Sequence, residues 1–281
     1  MRNTLRVRVS GFSLQAFHAR MNAVWFNGRM SDVQRRCLSG FTSLYLIRNR
    51  VTDEPVPASW LAYVLATTYH ETASTMQPIA EYGLGYGRPY GEPDPVTGQT
   101  YYGRGYVQLT WKDNYQKAEG VAMDLSTLER NVPLVMQPDL AMKPVYAAQI
   151  ALSGMAQGWF TGKKLSDYLT ATQTDYLNAR RIINGTDKAD LIASYAKEAE
   201  AAIRLAQGEH ITRSTVRNGS QGDDVRELQL VLGENPDGIF GTGTEGSLRA
   251  FQAAHGLAAD GICGANTWVA IDEKVYGLWK S

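Results

Sequence analysis

Asp237-Gly-Ile-Phe-Gly241, with Thr244 three residues beyond, is echoed by Asp260-Gly-Ile-Cys-Gly264, with Thr267 three residues beyond. Each Asp-Gly reads as a tight turn, since glycine takes up a left-handed backbone at no steric cost. Each threonine is a candidate helix N-cap. Around the two turns the apolar residues keep helical spacing. Val225, Leu228, Val231 and Leu232 fall on one face, closed by Gly233; Leu248 and Phe251 lead to Gly256; Trp268, Ile271 and Val275 mark a third helix. Three short helices joined by turns predict a small bundle over residues 215–281. Taken alone, such a bundle reads as an appendage for stability or oligomerisation.

Moving toward the N-terminus, residues 189–206 are rich in Ala with Glu, Lys and Arg and read as a long helix that stops at Gly208. Residues 209–215 are polar and lack strong periodicity. The expected organisation is a large domain over 1–207, a linker over 208–214 that permits independent motion, and the bundle over 215–281.

The tail reaches a known family through Val216-Arg-Asn-Gly-Ser-Gln-Gly-Asp-Asp-Val-Arg-Glu-Leu-Gln229, the Asp-Gly-Ile-Phe-Gly turn, Leu248-Arg-Ala-Phe-Gln252 and Gly-Leu-Ala-Ala-Asp-Gly-Ile. These segments resemble the three-helix peptidoglycan-binding domain over almost all of 216–271. The resemblance implies bacterial peptidoglycan as the partner, and a tether that raises the concentration of an attached hydrolase near its bond. Asp237, Phe240 and Thr244, beside the repeated turn, are the candidate wall contacts.

The first 207 residues read as mostly helical. Ser31-Asp32 opens one helix, and Pro57-Ala-Ser59 opens another whose apolar stripe runs through Trp60, Leu61, Val64, Leu65 and Thr68. Glu71 lies seven residues after Val64, so two turns return it to that stripe. A carboxyl there is costly to ionise and its pKa should rise, which suits a general acid. A helix that ends near His70 would instead leave Glu71 facing water. From Met76 to Thr100 glycines and prolines alternate with Tyr82, Tyr86 and Tyr90, and Glu81, Glu92 and Asp94 lie among them. A long loop of this kind inside a compact domain points to function, and tyrosine faces beside carboxylates suit sugar rings. The block Tyr101-Tyr-Gly-Arg-Gly-Tyr-Val-Gln-Leu-Thr-Trp111 follows. Its glycines lack the remaining elements of a phosphate loop. Tyr45, Tyr63, Trp60 and Trp159 are expected in the core.

Together Tyr69-His-Glu-Thr72, the Tyr101 to Trp111 block and Arg181-Ile-Ile-Asn-Gly185 resemble glycoside hydrolase family 19, and its phage endolysin branch in particular. The resemblance implies a mainly α fold: a helical, lysozyme-like catalytic domain ahead of the wall-binding bundle. It implies Glu71 as general acid, Glu81 as general base and Thr110 as holder of the attacking water. Gln108, Tyr102 and Asn184 would line the sugar cleft, and Arg181 would act as a structural or charge-tuning partner of the carboxylates. The implied reaction is hydrolysis of β-1,4 bonds of the wall glycan with inversion, in which paired carboxylates stand about 6.5–9.5 Å apart. Glu81 follows Glu71 by only ten residues, unlike the longer chitinase spacing, so Glu92 and Asp94 stay open as bases. A chitinase, a non-catalytic wall-binding protein and a peptidase are the competing readings.

Composition narrows the field. Lys plus Arg and Asp plus Glu each number 28, giving a formal net charge of zero, which does not favour a charge-driven grip on nucleic acid or an anionic membrane. No run of about 18 apolar residues is present, so no stable membrane insertion is expected. Four scattered histidines and two distant cysteines give no metal spacing, so neither metal nor cofactor is expected. Residues 1–9 alternate basic and apolar residues without the apolar core of a secretory signal. The expectation is a monomer held in the host cytoplasm until its release to the wall.

Overall fold

The computed structural model describes residues 11–51, 55–124 and 132–276. The Arg-rich start, Arg2 to Arg8, lies outside them. The fold is mainly helical, as the periodicity predicts. It comprises α1 (Leu14–Phe26), α2 (Asp32–Val51), α3 (Ala58–Glu71), α4 (Lys112–Glu119), α5 (Pro144–Gln157), α6 (Tyr176–Ala179), α7 (Ala189–Ala206), α8 (Asp223–Leu232), α9 (Thr242–Ala254) and α10 (Ala265–Lys274). One two-stranded ribbon joins β1 (Ile79–Ala80) to β2 (Arg104–Gly105).

The chain forms two compact units, Ser31–Lys197 and a second made of Met1–Met30 with Glu198–Ser281. In the first, α3 is buried on every side from Leu61 to Tyr69, so it is the central helix and not an amphipathic one. α2 and α5 pack against it. α5 begins with Pro144 at its first turn and stops at Gly158, whose φ of 77° is open to glycine at little cost. Tyr45 and Tyr63 are buried, as expected of core residues, whereas Trp60 and Trp159 are half-buried. The Trp60 indole donates to the Leu169 carbonyl at 2.8 Å.

The second unit departs from the expected boundaries. α1 packs on α8, and Ala16 and Leu205 share one core with Val225, Leu228, Phe240, Leu248, Trp268 and Ile271. The segment read as a free linker is anchored as well. The Arg213 side chain is fully buried and makes two bonds to Glu227, at 2.9 and 3.0 Å, and one to Asp272 Oδ1 at 2.9 Å. Arg20 from α1 and the Tyr276 hydroxyl also reach Glu227, which has no exposed surface. Burial alone would raise the pKa of Glu227, but Arg20 and Arg213 overcome it and hold the carboxyl below its usual range. A polar composition therefore marks an ion-pair network at 209–215 and not a loose connection.

The three C-terminal helices lie where the apolar spacing puts them, and the repeated turns are held by one device used twice. Gln229 Nε2 donates to Asp237 Oδ1 at 2.8 Å, to the Ile239 carbonyl at 3.1 Å and to Thr244 Oγ1 at 3.3 Å, while its Oε1 accepts from the Gly238 amide at 2.8 Å. Gln252 repeats this with Asp260, Ile262, Thr267 and Gly261 at 2.9, 3.0, 3.3 and 3.0 Å. The N-caps are Gly241 and Gly264, not the threonines, which sit in the first turns of α9 and α10 as acceptors for the glutamines.

Candidate active site

The side chain of Glu71, the last residue of α3, is neither sealed in an apolar stripe nor freely solvated. It is 23% exposed, and Oε1 accepts from Arg180 Nη1 at 2.7 Å, with Arg180 itself 3% exposed. Arg180 stands just after α6, and its Nε donates to the Asp187 carbonyl at 3.0 Å. The purely apolar setting expected for Glu71 is thus replaced by a fixed ion pair.

Glu71, Gln108, Thr110, Trp111, Asn114 and Asn184 line one cleft of about 260 Å³, together with Val107, Phe160 and Ile183. Four residues chosen from the sequence, Glu71, Gln108, Thr110 and Asn184, therefore meet in a single concavity. The Thr110 hydroxyl donates to the Gln108 carbonyl at 2.8 Å, which leaves its oxygen free to accept. Gln108 and Trp111 flank it with φ of 53° and 74°. Non-glycine residues in that region cost on the order of 1–3 kcal/mol each and collect where function demands a shape. Arg181 is exposed and among the described residues its side chain reaches Asn178 Oδ1 at 3.4 Å, whereas the partner of the carboxylate is its neighbour Arg180.

Glu81 is held by the ribbon, outside the residues that line this cleft. β1 pairs antiparallel with β2, Ile79 opposite Gly105 and Ala80 opposite Arg104. The Glu81 amide donates to the Gly103 carbonyl at 2.7 Å, and its two carboxylate oxygens accept from the Gly103 amide and the Tyr90 hydroxyl, each at 3.0 Å. Gly103 links Glu81 to the cleft wall. A Cβ there would come within 2.8 Å of Gln108 Oε1 and 3.3 Å of Glu81 Cβ, so a larger residue would push the two side chains apart. Tyr102 does not line the cleft. Its ring lies under the Arg104 guanidinium, 3.5 Å from the centroid.

A second concavity of about 380 Å³ shares Trp111 and is lined by Tyr90, Glu92, Asp94 and Lys112. Tyr90 meets the Trp111 ring edge-on at 5.1 Å. Asp94 is a loop anchor. Lys112 contacts both its oxygens, at 2.9 and 3.0 Å, and Oδ1 also accepts from the Val96 and Thr97 amides and the Thr97 hydroxyl. The Lys112 bond, ahead of the backbone amides, pulls its pKa down to about 2. Arg180 and Tyr90 are the residues that motif reading passed over: one lies beside the motif arginine, the other among loop tyrosines with no pattern to single it out. Among the described residues no group of three His, Cys, Asp or Glu side chains is arranged to hold a metal ion. Cys37 and Cys263 are free and buried, and burial pushes the Cys37 thiol up to about 12.

Of the three candidate wall contacts, Phe240 is 1% exposed and belongs to the core, and Thr244 is 4% exposed inside the glutamine bracket. Asp237 is exposed, but its Oδ1 ties the turn to Gln229 and the Ile239 amide.

Residues 221–271 match the family model described as putative peptidoglycan binding domain. The chain is 36% identical over 88 residues to the zinc D-Ala-D-Ala carboxypeptidase of Streptomyces albus G, covering 28% of this chain and 33% of that one. It is 40% identical over 73 residues to the spore cortex-lytic enzyme of Bacillus cereus, covering 24% and 28%. The chain therefore spans a third or less of these relatives. An uncharacterized protein of Kitasatospora aureofaciens is 32% identical over 87 residues, covering 28% of this chain and 74% of that one. The crystal structure of chitinase C from Streptomyces griseus aligns with a TM-score of 0.41 at 20% identity, over 70% of this chain and 94% of that one. The likeness to the putative peptidoglycan binding domain is thus confined to residues 221–271 of the chain.

Proposed function

We propose that the protein is a cell-wall hydrolase that cuts β-1,4 bonds of the peptidoglycan glycan, with a catalytic unit of lysozyme-like type and a wall-holding unit on the same chain. The carrying observation is the convergence of Glu71, Gln108, Thr110 and Asn184 on one cleft. The family match of residues 221–271 supports the wall as the substrate surface, and a tether to that surface raises the local concentration of scissile bonds.

In this reading Glu71 gives its proton to the glycosidic oxygen as the bond to the anomeric carbon breaks. A water held by Thr110 attacks that carbon from the opposite face and passes a proton to Glu81, so one water is consumed and the configuration inverts. Arg180 keeps one oxygen of Glu71 fixed and leaves the other to carry the proton. Glu81 is the base in preference to Asp94, whose oxygens are spent on Lys112 and its own turn. Glu92 lines the neighbouring concavity. Asn184 and Gln108 bind sugar, and no cofactor takes part.

Purified peptidoglycan and chitin, each incubated with the protein, test the bond class. New reducing ends from peptidoglycan, with no new free amines, are the predicted products, and mass spectrometry of the fragments identifies the bond. New amines without reducing ends would replace this reading with a peptidase, and cleavage of chitin alone would replace it with a chitinase.

A further inference from the structure

The two glutamine brackets of the C-terminal unit are 23 residues apart at every matched position: Gln229 and Gln252, Asp237 and Asp260, Thr244 and Thr267. They differ in what faces the threonine. In the first, the Thr244 hydroxyl donates to Glu234 Oε2 at 2.8 Å and Ser247 donates to Glu234 Oε1 at 2.5 Å. A carboxylate of the chain itself thus fills the space between the turn and the start of α9. In the second, Leu257 stands where Glu234 would, and Ala270 where Ser247 would.

The consequence is an open groove of about 250 Å³, lined by Gln252, Leu257, Asp260, Asn266 and Thr267 among others. Thr267 is 4% exposed and accepts from Gln252 at 3.3 Å, but its own O–H meets no acceptor among the described residues. A buried hydroxyl hydrogen without an acceptor is costly, and native structures rarely leave one so. The same groove opens on the N-terminus of α10, where Gly264 provides no side-chain cap for the first-turn amides.

We propose that this groove is the wall-binding site proper and that it takes a free carboxylate of a peptidoglycan stem peptide, seated against Thr267 as Glu234 is seated against Thr244. The proposal rests on the wall-binding reading of this unit and names the subsite within it. The first bracket is its template: an acceptor of the same chemistry already occupies the equivalent place. Asp260 does not forbid an anion there, because Asp237 holds the matching position in the first bracket beside the Glu234 carboxylate.

The test is cosedimentation of the full chain with purified sacculi in the cold, before digestion proceeds. Leu257→Glu installs in the second groove the plug that closes the first. Thr267→Val removes the hydroxyl and keeps the shape. Both variants should bind sacculi about tenfold more weakly, the scale of one charge-assisted hydrogen bond, with helical circular dichroism unchanged. Sacculi whose carboxylates have been amidated should lose the wild-type protein to a similar extent. Unchanged binding of both folded variants, or equal binding to amidated sacculi, overturns the groove while leaving the wall-binding reading intact. Failure of the wild type to sediment with any sacculi overturns the wall-binding reading, and the groove with it.

Discussion

Arg180 and Arg181 are adjacent, yet one is buried against Glu71 and the other is exposed. They sit in a single 3-10 turn after the four-residue α6, where successive side chains point about 120° apart. Arg180→Ala should therefore lower turnover of the wall glycan by about 10²-fold through misplacement of the carboxyl, while Arg181→Ala should stay within about twofold of wild type. Steady-state rates of reducing-end release check both. Motif reading reached the right turn but the wrong side chain, because four residues of helix carry too little periodicity to say which face is inward. Gln108, Thr110 and Asn184 lie in short motifs and meet at the cleft with Glu71. Glu71 meets its arginine across 109 residues of chain, at the turn the resemblance pointed to and one residue before the arginine it implied.

The Asp-Gly echo was legible because its glycines mark turns at a fixed spacing, whereas its threonines were misread. Spacing fixed the three helices, but Thr244 and Thr267 serve the glutamine brackets in place of capping. Phe240, placed near the wall by its motif, is instead a core residue, and its apolar side chain was the signal for that. Each bracket glutamine satisfies a buried glycine amide as well as three acceptors. Gln229→Ala and Gln252→Ala should each cost about 2–4 kcal/mol, since both strand an amide and loosen a turn. Urea denaturation that shows either loss below about 0.5 kcal/mol would contradict a structural role for that bracket. Helices α1 and α5 carry no motif, and the sequence reading passed over both.

For the molecule as a whole, the unit that carries residues 221–271 is not the tail alone. α1, the end of α7 and the 209–215 segment complete its core and its buried charge network. A fragment of residues 215–281 lacks Ala16, Arg20, Leu205 and Arg213, which leaves Glu227 and Asp272 buried without their arginines. Stranding a buried charge costs about 3–5 kcal/mol, a large part of what so small a core supplies. The fragment should melt far below the full chain or not fold, as circular dichroism would show. A fragment as stable as the intact chain would restore the boundary that composition suggested. Composition could not reveal this arrangement, because a polar segment looks the same whether its charges are paired inside or solvated.

In the proposed reaction Glu71 supplies the proton for glycan cleavage. Glu71→Gln keeps the shape and a hydrogen-bonding oxygen for Arg180 but cannot act as an acid. The most direct measurement is the initial rate of reducing-end release from purified peptidoglycan by wild type and Glu71→Gln, each shown to have the same melting temperature. A fall of about 10²–10⁴-fold is expected, the scale of lost general-acid catalysis. A folded Glu71→Gln that releases reducing ends at the wild-type rate would contradict it.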